Sequence, residues 1–180
     1  MDKIQTTQYQ TPFGELILGS MGQHLCLCDW LHRKMRTSID ERIQSGLRAV
    51  YVEGSSGILE ETKKQLARYF QGERKEFDLP LLLVGSDFQK RVWNALLQIP
   101  FGKTESYAGL AKKLGDEGAI RAVAAANGAN AISIVVPCHR IVGSDGSLTG
   151  YAGGLVTKRK LLHLENALPQ GELPLNFQGI

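Results

Sequence analysis

Cysteine is scarce in this chain: three thiols in 180 residues, an odd number and too few for a disulfide scaffold. Long apolar runs are missing too. The longest, Leu79 to Val84 and Ile132 to Val136, fall far short of the roughly 20 residues that a bilayer span requires. The first residues, Met1-Asp2-Lys3 followed by Gln and Thr, lack the apolar stretch of a signal peptide. Neither charge sign dominates, with 21 Lys+Arg against 18 Asp+Glu. At 43% hydrophobic and 22% charged residues, the composition excludes a disordered or fibrous chain, and no internal repeat is present. What remains is one compact domain, or two small ones sharing an interface, in a reducing compartment such as the cytoplasm.

The small positive surplus is unevenly placed. Residues 1–85 carry 11 basic and 11 acidic side chains, whereas residues 86–180 carry 10 and 7. A polyanion would therefore meet the second half.

The first thirty residues read as β-structure. Leu16-Ile17-Leu18 and Leu25-Cys26-Leu27-Cys28 are short apolar stretches set between Gly19, Gly22 and the turn Thr11-Pro12-Phe13-Gly14. Arg33 to Arg48 is polar and poorly patterned and supports no assignment. From Leu59 to Phe70, apolar residues recur near helical spacing until Gly72, and Leu79 to Leu83 reads as a buried connector or short strand.

From Ser86 the texture becomes helical. Ser86 and Gln89 have capping-box spacing, followed by an apolar face of Phe88, Val92, Trp93, Leu96 and Leu97. Pro100-Phe101-Gly102 stops that helix. Thr104 is placed to cap a second one, carrying Tyr107, Leu110, Ala111 and Leu114 and ending at Gly115. A third, about 118–127, holds Arg121 among alanines. Two short helices joined at a glycine turn indicate a helix-turn-helix.

The densest chemical cluster runs from Asn130 through Ile134-Val135-Val136-Pro137-Cys138-His139-Arg140 to Gly150-Tyr151-Ala152-Gly153-Gly154. A cysteine behind such an apolar run is buried, which raises its pKa and makes it inert unless something offsets the burial. His139 and Arg140 supply cationic character, and Glu165, in a late helical stretch from Lys158, is a carboxylate able to orient the imidazole. By residue type alone, a buried cysteine is more often a small hydrophobe, Arg121 a solvated charge, Tyr107 core packing and Glu165 a surface charge. The combination shifts that balance.

These blocks resemble the O6-alkylguanine-DNA alkyltransferases, also called methylated-DNA–protein-cysteine methyltransferases. The resemblance is strong from Phe88 to Glu165, through Tyr107-Ala108, Arg121-Ala122-Val123, Asn130, Pro137-Cys138-His139-Arg140 and Tyr151-Ala152-Gly153-Gly154. It extends weakly into Thr11–Leu16 and Tyr69–Gly72. It implies single, stoichiometric transfer of an alkyl group from O6-alkylguanine, and from O4-alkylthymine, to Cys138. His139, held by Glu165, would take the thiol proton through a water; Asn130 would buttress the site. Tyr107 would donate to the leaving guanine, Tyr151, Ala152 and Gly153 would wall the base pocket, and backbone carbonyls around Cys138 and Ile141 would read the guanine amino group. Arg121 would enter the stack in place of the flipped base, with Ala122 letting the helix sit close in the minor groove. Lys90, Arg91, Lys103, Lys112 and Lys113 are candidate phosphate neighbours. The implied partner is double-stranded DNA containing alkylated guanine, met by a monomer with no cofactor and no membrane.

His24, Cys26 and Cys28 alternate along one expected strand and would share a face, yet i, i+2 spacing of about 7 Å suits one metal ion poorly, so no metal is expected. The expected fold is α/β (α+β). A small N-terminal β-sheet-containing domain, residues 1–85, packs on a helical helix-turn-helix and alkyl-acceptor domain, 86–168, followed by a tail, 169–180. Three rivals remain: a non-catalytic alkylated-base sensor, a helix-turn-helix regulator, and a cysteine hydrolase built on the same three side chains.

Overall fold

The computed structural model describes residues 1–168. Its N-terminal half is a four-stranded sheet in the order β3-β2-β1-β4, built from β1 (Asp2–Thr11), β2 (Gly14–Met21), β3 (His24–Trp30) and β4 (Ala49–Glu53). β1, β2 and β3 form an antiparallel meander, and β4 returns parallel to β1. At the first turn the Thr11 hydroxyl donates to the Gly14 carbonyl (2.7 Å) and accepts from the Phe13 amide.

The unassigned stretch after Arg33 contains a helix, α1 (Arg36–Leu47), which makes the crossover to β4. It buries only Ile39 and Ile43, one i, i+4 pair, and has no side-chain N-cap, so its sequence carries almost no helical signature. α2 (Gly57–Phe70) is capped by Ser56, buries Ile58, Leu59, Leu66 and Tyr69, and is followed by Gly72 at φ 76°. Residues 79–83 form a half-buried connector that bonds both the amide and the carbonyl of Leu25 and so covers the outer edge of β3 there.

Contrary to the strict alternation expected, His24, Cys26 and Cys28 do not share a face. A β-bulge opposite Gly19 and Ser20 leaves Cys26 without a partner in the ladder. Cys26 therefore packs with Ile4 and Leu27, Cys28 packs on the other side with Leu16 and Leu18, and His24 is exposed. The inserted residue resets the period of two.

The C-terminal half is helical. α3 (Asp87–Leu96) starts with the expected reciprocal cap, Ser86 Oγ to the Gln89 amide at 3.1 Å and Gln89 Oε1 to the Ser86 amide at 2.9 Å. Leu97 caps its end and is exposed, so it leaves the apolar face. A two-residue strand β5 (Glu105–Ser106) then leads into α4 (Tyr107–Lys113). Its cap is Ser106, whose Oγ accepts from the Gly109 amide (2.9 Å), rather than Thr104, because β5 extends the backbone up to Ser106. Gly115, at φ 81°, turns the chain into α5 (Ile120–Gly128), and α4 and α5 form the helix-turn-helix. α6 (Leu155–Leu164) begins earlier than expected, with Glu165 as its C-cap. The tail expected from 169 lies outside the described residues.

Candidate active site

Cys138 opens a single 3-10 turn, Cys138–Arg140, directly behind Pro137. The turn runs into strand β6 (Ile141–Val142), which pairs parallel with β5 and so ties the thiol segment to the start of α4. The thiol is nearly inaccessible, and the His139 side chain is completely buried. His139 Nε2 lies 2.8 Å from Glu165 Oε1, and Arg140 grips the same carboxylate with two bonds of 2.9 Å. The Tyr69 hydroxyl adds a fourth bond to Glu165 at 2.7 Å. Arg140 also donates to the Ile99 carbonyl (2.6 Å), so its charge is neutralised and its fork nearly satisfied.

This wiring sets the protonation states. Burial alone would raise the Glu165 pKa, but the bonds and charges of His139 and Arg140 outweigh it and hold the carboxyl at about 2. Burial lowers His139, with Glu165 opposing, so the imidazole is neutral near pH 7. A neutral ring that donates Nε2–H to Glu165 keeps the lone pair of Nδ1 free, and Nδ1 is buried with no partner among the described residues. Burial also raises Cys138 above an ordinary thiol, with a hydrogen bond from Asn130 opposing. The resting state is a protonated thiol, followed in the chain by an imidazole whose Nδ1 lone pair is free.

The thiol faces a cleft of about 700 Å³ lined by Tyr107, Tyr151, Ala152, Gly153 and Gly154, and on the helix side by Ala124, Asn127 and Gly128. Residues 32–35 of the N-terminal half close its far wall. The Tyr107 hydroxyl donates to the Thr149 carbonyl at 3.0 Å, the Tyr151 hydroxyl accepts from Trp30 Nε1 at 3.0 Å, and the Tyr151 ring stands 6.4 Å from that of His139. Gly153 is required by the protein's own packing: a Cβ there would meet the Trp30 indole at 2.8 Å. Lys158, fully buried on α6, donates to the Thr149 and Gly150 carbonyls (3.1 and 3.2 Å) and steadies the loop before Tyr151; burial lowers its pKa to about 8.

Not every expected residue converges here. Ile141 is completely buried in β6 and does not line the cleft. Arg121 and Ala122 are exposed on α5, outside the lining. Arg121 precedes Ala124 by three residues and Gly128 by seven, so one helix face carries all three past the opening. Asn130 sits under the thiol segment: its Nδ2 donates to the Val136 carbonyl (2.9 Å), and its Oδ1 accepts from the Ile132 amide. Among the phosphate candidates, Arg91 donates to the Leu114 carbonyl at 3.0 Å and Lys113 pairs with Glu105; Lys103 and Lys112 remain exposed.

Several supporting residues gave no sequence signal. Asp29, at the end of β3, is completely buried and accepts from Ser133 Oγ (3.0 Å), Arg33 (3.0 Å) and Arg36 (3.0 Å). The Ser133 amide also bonds the Cys28 carbonyl at 2.6 Å. These contacts hold Ile134 at φ 72°, a left-handed conformation that costs a β-branched residue about 1–3 kcal/mol. Tyr69 gave none either, since its helix face looked like ordinary core.

Fold and site together define a helix-turn-helix protein organised around a buried row of thiol, imidazole and carboxylate. Residues 4–83 match the family described as 6-O-methylguanine DNA methyltransferase, ribonuclease-like domain, and residues 87–167 match 6-O-methylguanine DNA methyltransferase, DNA binding domain. The chain belongs to the 6-O-methylguanine DNA methyltransferase family. It is 40% identical over 159 residues to the methylated-DNA–protein-cysteine methyltransferase of Methanosarcina acetivorans, covering 88% of this chain and 96% of that protein. It is 55% identical over 111 residues to the Mycobacterium bovis protein of the same name, 62% of this chain and 67% of the relative. A crystal structure of Mycobacterium tuberculosis OGT in complex with DNA superposes with a TM-score of 0.78 at 42% identity, covering 92% and 93% of the two chains. No helix among the described residues is long and apolar enough to cross a membrane.

Proposed function

We propose that this chain repairs DNA directly, moving the alkyl group from O6 of guanine to Cys138 once per molecule. The observation that carries the reading is the pairing of His139 with Glu165 immediately beside a thiol that faces the cleft under α5. The Cys138 proton passes to His139 Nδ1 by way of a water, and Glu165 balances the imidazolium. The sulfur then attacks the saturated carbon; the S–C bond forms as the C–O6 bond breaks, and the electron pair stays on guanine. Tyr107, at the cleft wall, exchanges its Thr149 acceptor for the base and supplies the proton that neutralises the departing purine. The thioether formed has no hydrolysable bond, so the chain is consumed.

Reaching Cys138 requires the nucleotide to leave the stack. Arg121 fills the gap, and the exposed alanines of α5 let the backbone approach a minor groove whose code is degenerate. Tyr151, Ala152 and Gly153 wall the base, and O4-alkylthymine is a second substrate of the same geometry. The division into units 1–85 and 86–168, action as a monomer, and a cytoplasmic setting, which suits three buried free thiols, belong to the same reading.

The test is incubation with a duplex containing O6-methylguanine, followed by intact and peptide mass measurement. One methyl on the Cys138 peptide, saturating at one equivalent, is expected. Binding without a mass change would favour a sensor, and repeated turnover a hydrolase.

A further inference from the structure

The last backbone carbonyls of any helix lack partners inside it. α5 meets that problem without help from its own sequence: it has no basic residue in its last turn and no side-chain cap at its start. Three consecutive carbonyls at its exit instead accept from two arginines of the other half of the chain. Arg33, in the turn after β3, donates to the Gly128 carbonyl and, at 3.1 Å, to the Asn130 carbonyl. Arg42, midway along α1, donates to the Ala129 carbonyl at 2.7 Å. Both guanidinium groups are themselves held. Asp29 fixes Arg33 at 3.0 Å, while Arg42 lies 5.3 Å from the ring of Trp93, whose Nε1 donates to Ala126 inside α5 (2.8 Å). Positive charge at a helix C-terminus is also where the helix dipole favours it.

What is fixed here touches both ends of the chemistry. Upstream, the clamped carbonyls end the helix that carries Arg121. Downstream, the side chain of Asn130 bonds the Val136 carbonyl, and that carbonyl accepts from the Cys138 amide at 2.8 Å. We infer that Arg33 and Arg42 are positioning residues for alkyl transfer: as a two-arginine clamp from the N-terminal half, they set the Arg121 helix and the Cys138 turn at the spacing that transfer requires. The inference rests on the proposed acceptor role of Cys138.

Arg33 and Arg42 differ in what a lysine can replace. A single ammonium reaches one carbonyl, so Arg42→Lys keeps its bond to Ala129, whereas Arg33→Lys cannot span Gly128 and Asn130 together. The test uses the full chain at a temperature where thermal unfolding shows each variant folded. Single-turnover transfer from an O6-methylguanine duplex is measured beside the pH–rate profile of Cys138 with iodoacetamide, using Cys138→Ser as background. Arg33→Lys and Arg42→Gln are each expected to slow duplex transfer about tenfold, the effect of one lost charge-assisted bond. Arg33→Lys is also expected to move the iodoacetamide profile to higher pH, and Arg42→Lys to restore transfer to within about twofold of the unaltered chain. A folded Arg33→Lys chain with unaltered transfer and profile overturns the inference. If that variant is unfolded, Arg42→Gln decides; unfolding of both also overturns it, because residues that only position a site leave a folded chain. Failure of the unaltered chain to accept methyl sinks the functional reading instead, while its iodoacetamide profile still reads the clamp.

Discussion

Two surfaces meet near Cys138, and they are built on opposite principles. Behind the thiol stands a wall in which Glu165 takes four bonds from three side chains and both His139 and Glu165 are sealed from solvent. Beyond it runs the outer face of α5, where Arg121, Ala122, Ala124 and Ala125 are exposed. The wall is complete in itself, since moving a proton off a buried thiol needs fixed partners in a low dielectric. The face is bare in the structure, and on the function proposed above its partner, a duplex, brings its own charges and needs only small side chains to come close. Substitutions in the wall should therefore cost both fold and chemistry, and substitutions on the face chemistry alone.

The largest effect isolates the atom on which the two surfaces converge. Cys138→Ser should abolish methyl transfer while leaving duplex affinity unchanged in a gel-shift titration; residual transfer would move the acceptor elsewhere. Next, Glu165→Gln should lower unfolding free energy in urea by about 3–5 kcal/mol, because it leaves the buried Arg140 charge unpaired. A loss below about 1 kcal/mol would put the wall in the same class as the face. The same residue makes an acid prediction. Its folded pKa near 2 lies below the roughly 4.3 of an unfolded chain, so its stabilisation is present above that value and is lost as pH falls toward 2. The stability gap between the unaltered chain and Glu165→Gln should close over that window. On the face, Arg121→Ala should slow transfer from duplex about tenfold, the scale of a lost contribution to base flipping, and change stability by less than about 0.5 kcal/mol. Equal slowing on single-stranded substrate would argue against a flipping role. Smallest is Ser86→Ala, at a residue that does not line the cleft. Loss of its cap should cost about 1 kcal/mol in thermal unfolding and leave the transfer rate untouched.

Much of the fold was legible where the physics is local. The capping box at Ser86 and Gln89, the glycine stops at Gly72 and Gly115, and the helix-turn-helix follow from spacing alone, because each depends on residues within one or two turns. α1 was not legible, since two buried isoleucines are too few to make a face and its helix is held by tertiary bonds from Arg36 and Arg42. The shared face of His24, Cys26 and Cys28 failed because a bulge depends on the opposing strand, and a single sequence contains no record of that partner. Around the thiol, Cys138, His139 and Glu165 were nameable from residue type, and Tyr107 and Tyr151 only through the family resemblance; the structure places Cys138, Tyr107 and Tyr151 on the cleft and pairs His139 with Glu165 behind it, while Arg121 and Ala122 stay exposed on α5 and Ile141 is buried in β6. Asp29 and Arg33 were invisible, and the bonds of Tyr69 and Lys158 could not be read, their partners lying roughly a hundred residues away or at the far end of a loop.

The order of residues fixes which chemistry is available: a cysteine preceded by proline, an adjacent imidazole, a later carboxylate and an alanine-rich helix with one arginine. Those are properties of residue types and short spacings. Which of them are wired together depends on the folded chain. Glu165 becomes the partner of His139 because α6 ends against the thiol turn and Tyr69 and Arg140 fix its carboxylate. Gly153 is small because Trp30 lies on it, and α5 is capped by arginines from another part of the chain. Hydrogen bonds and packing act over a few ångströms in space, whatever the distance along the chain, so their pairing is settled only when the backbone has folded.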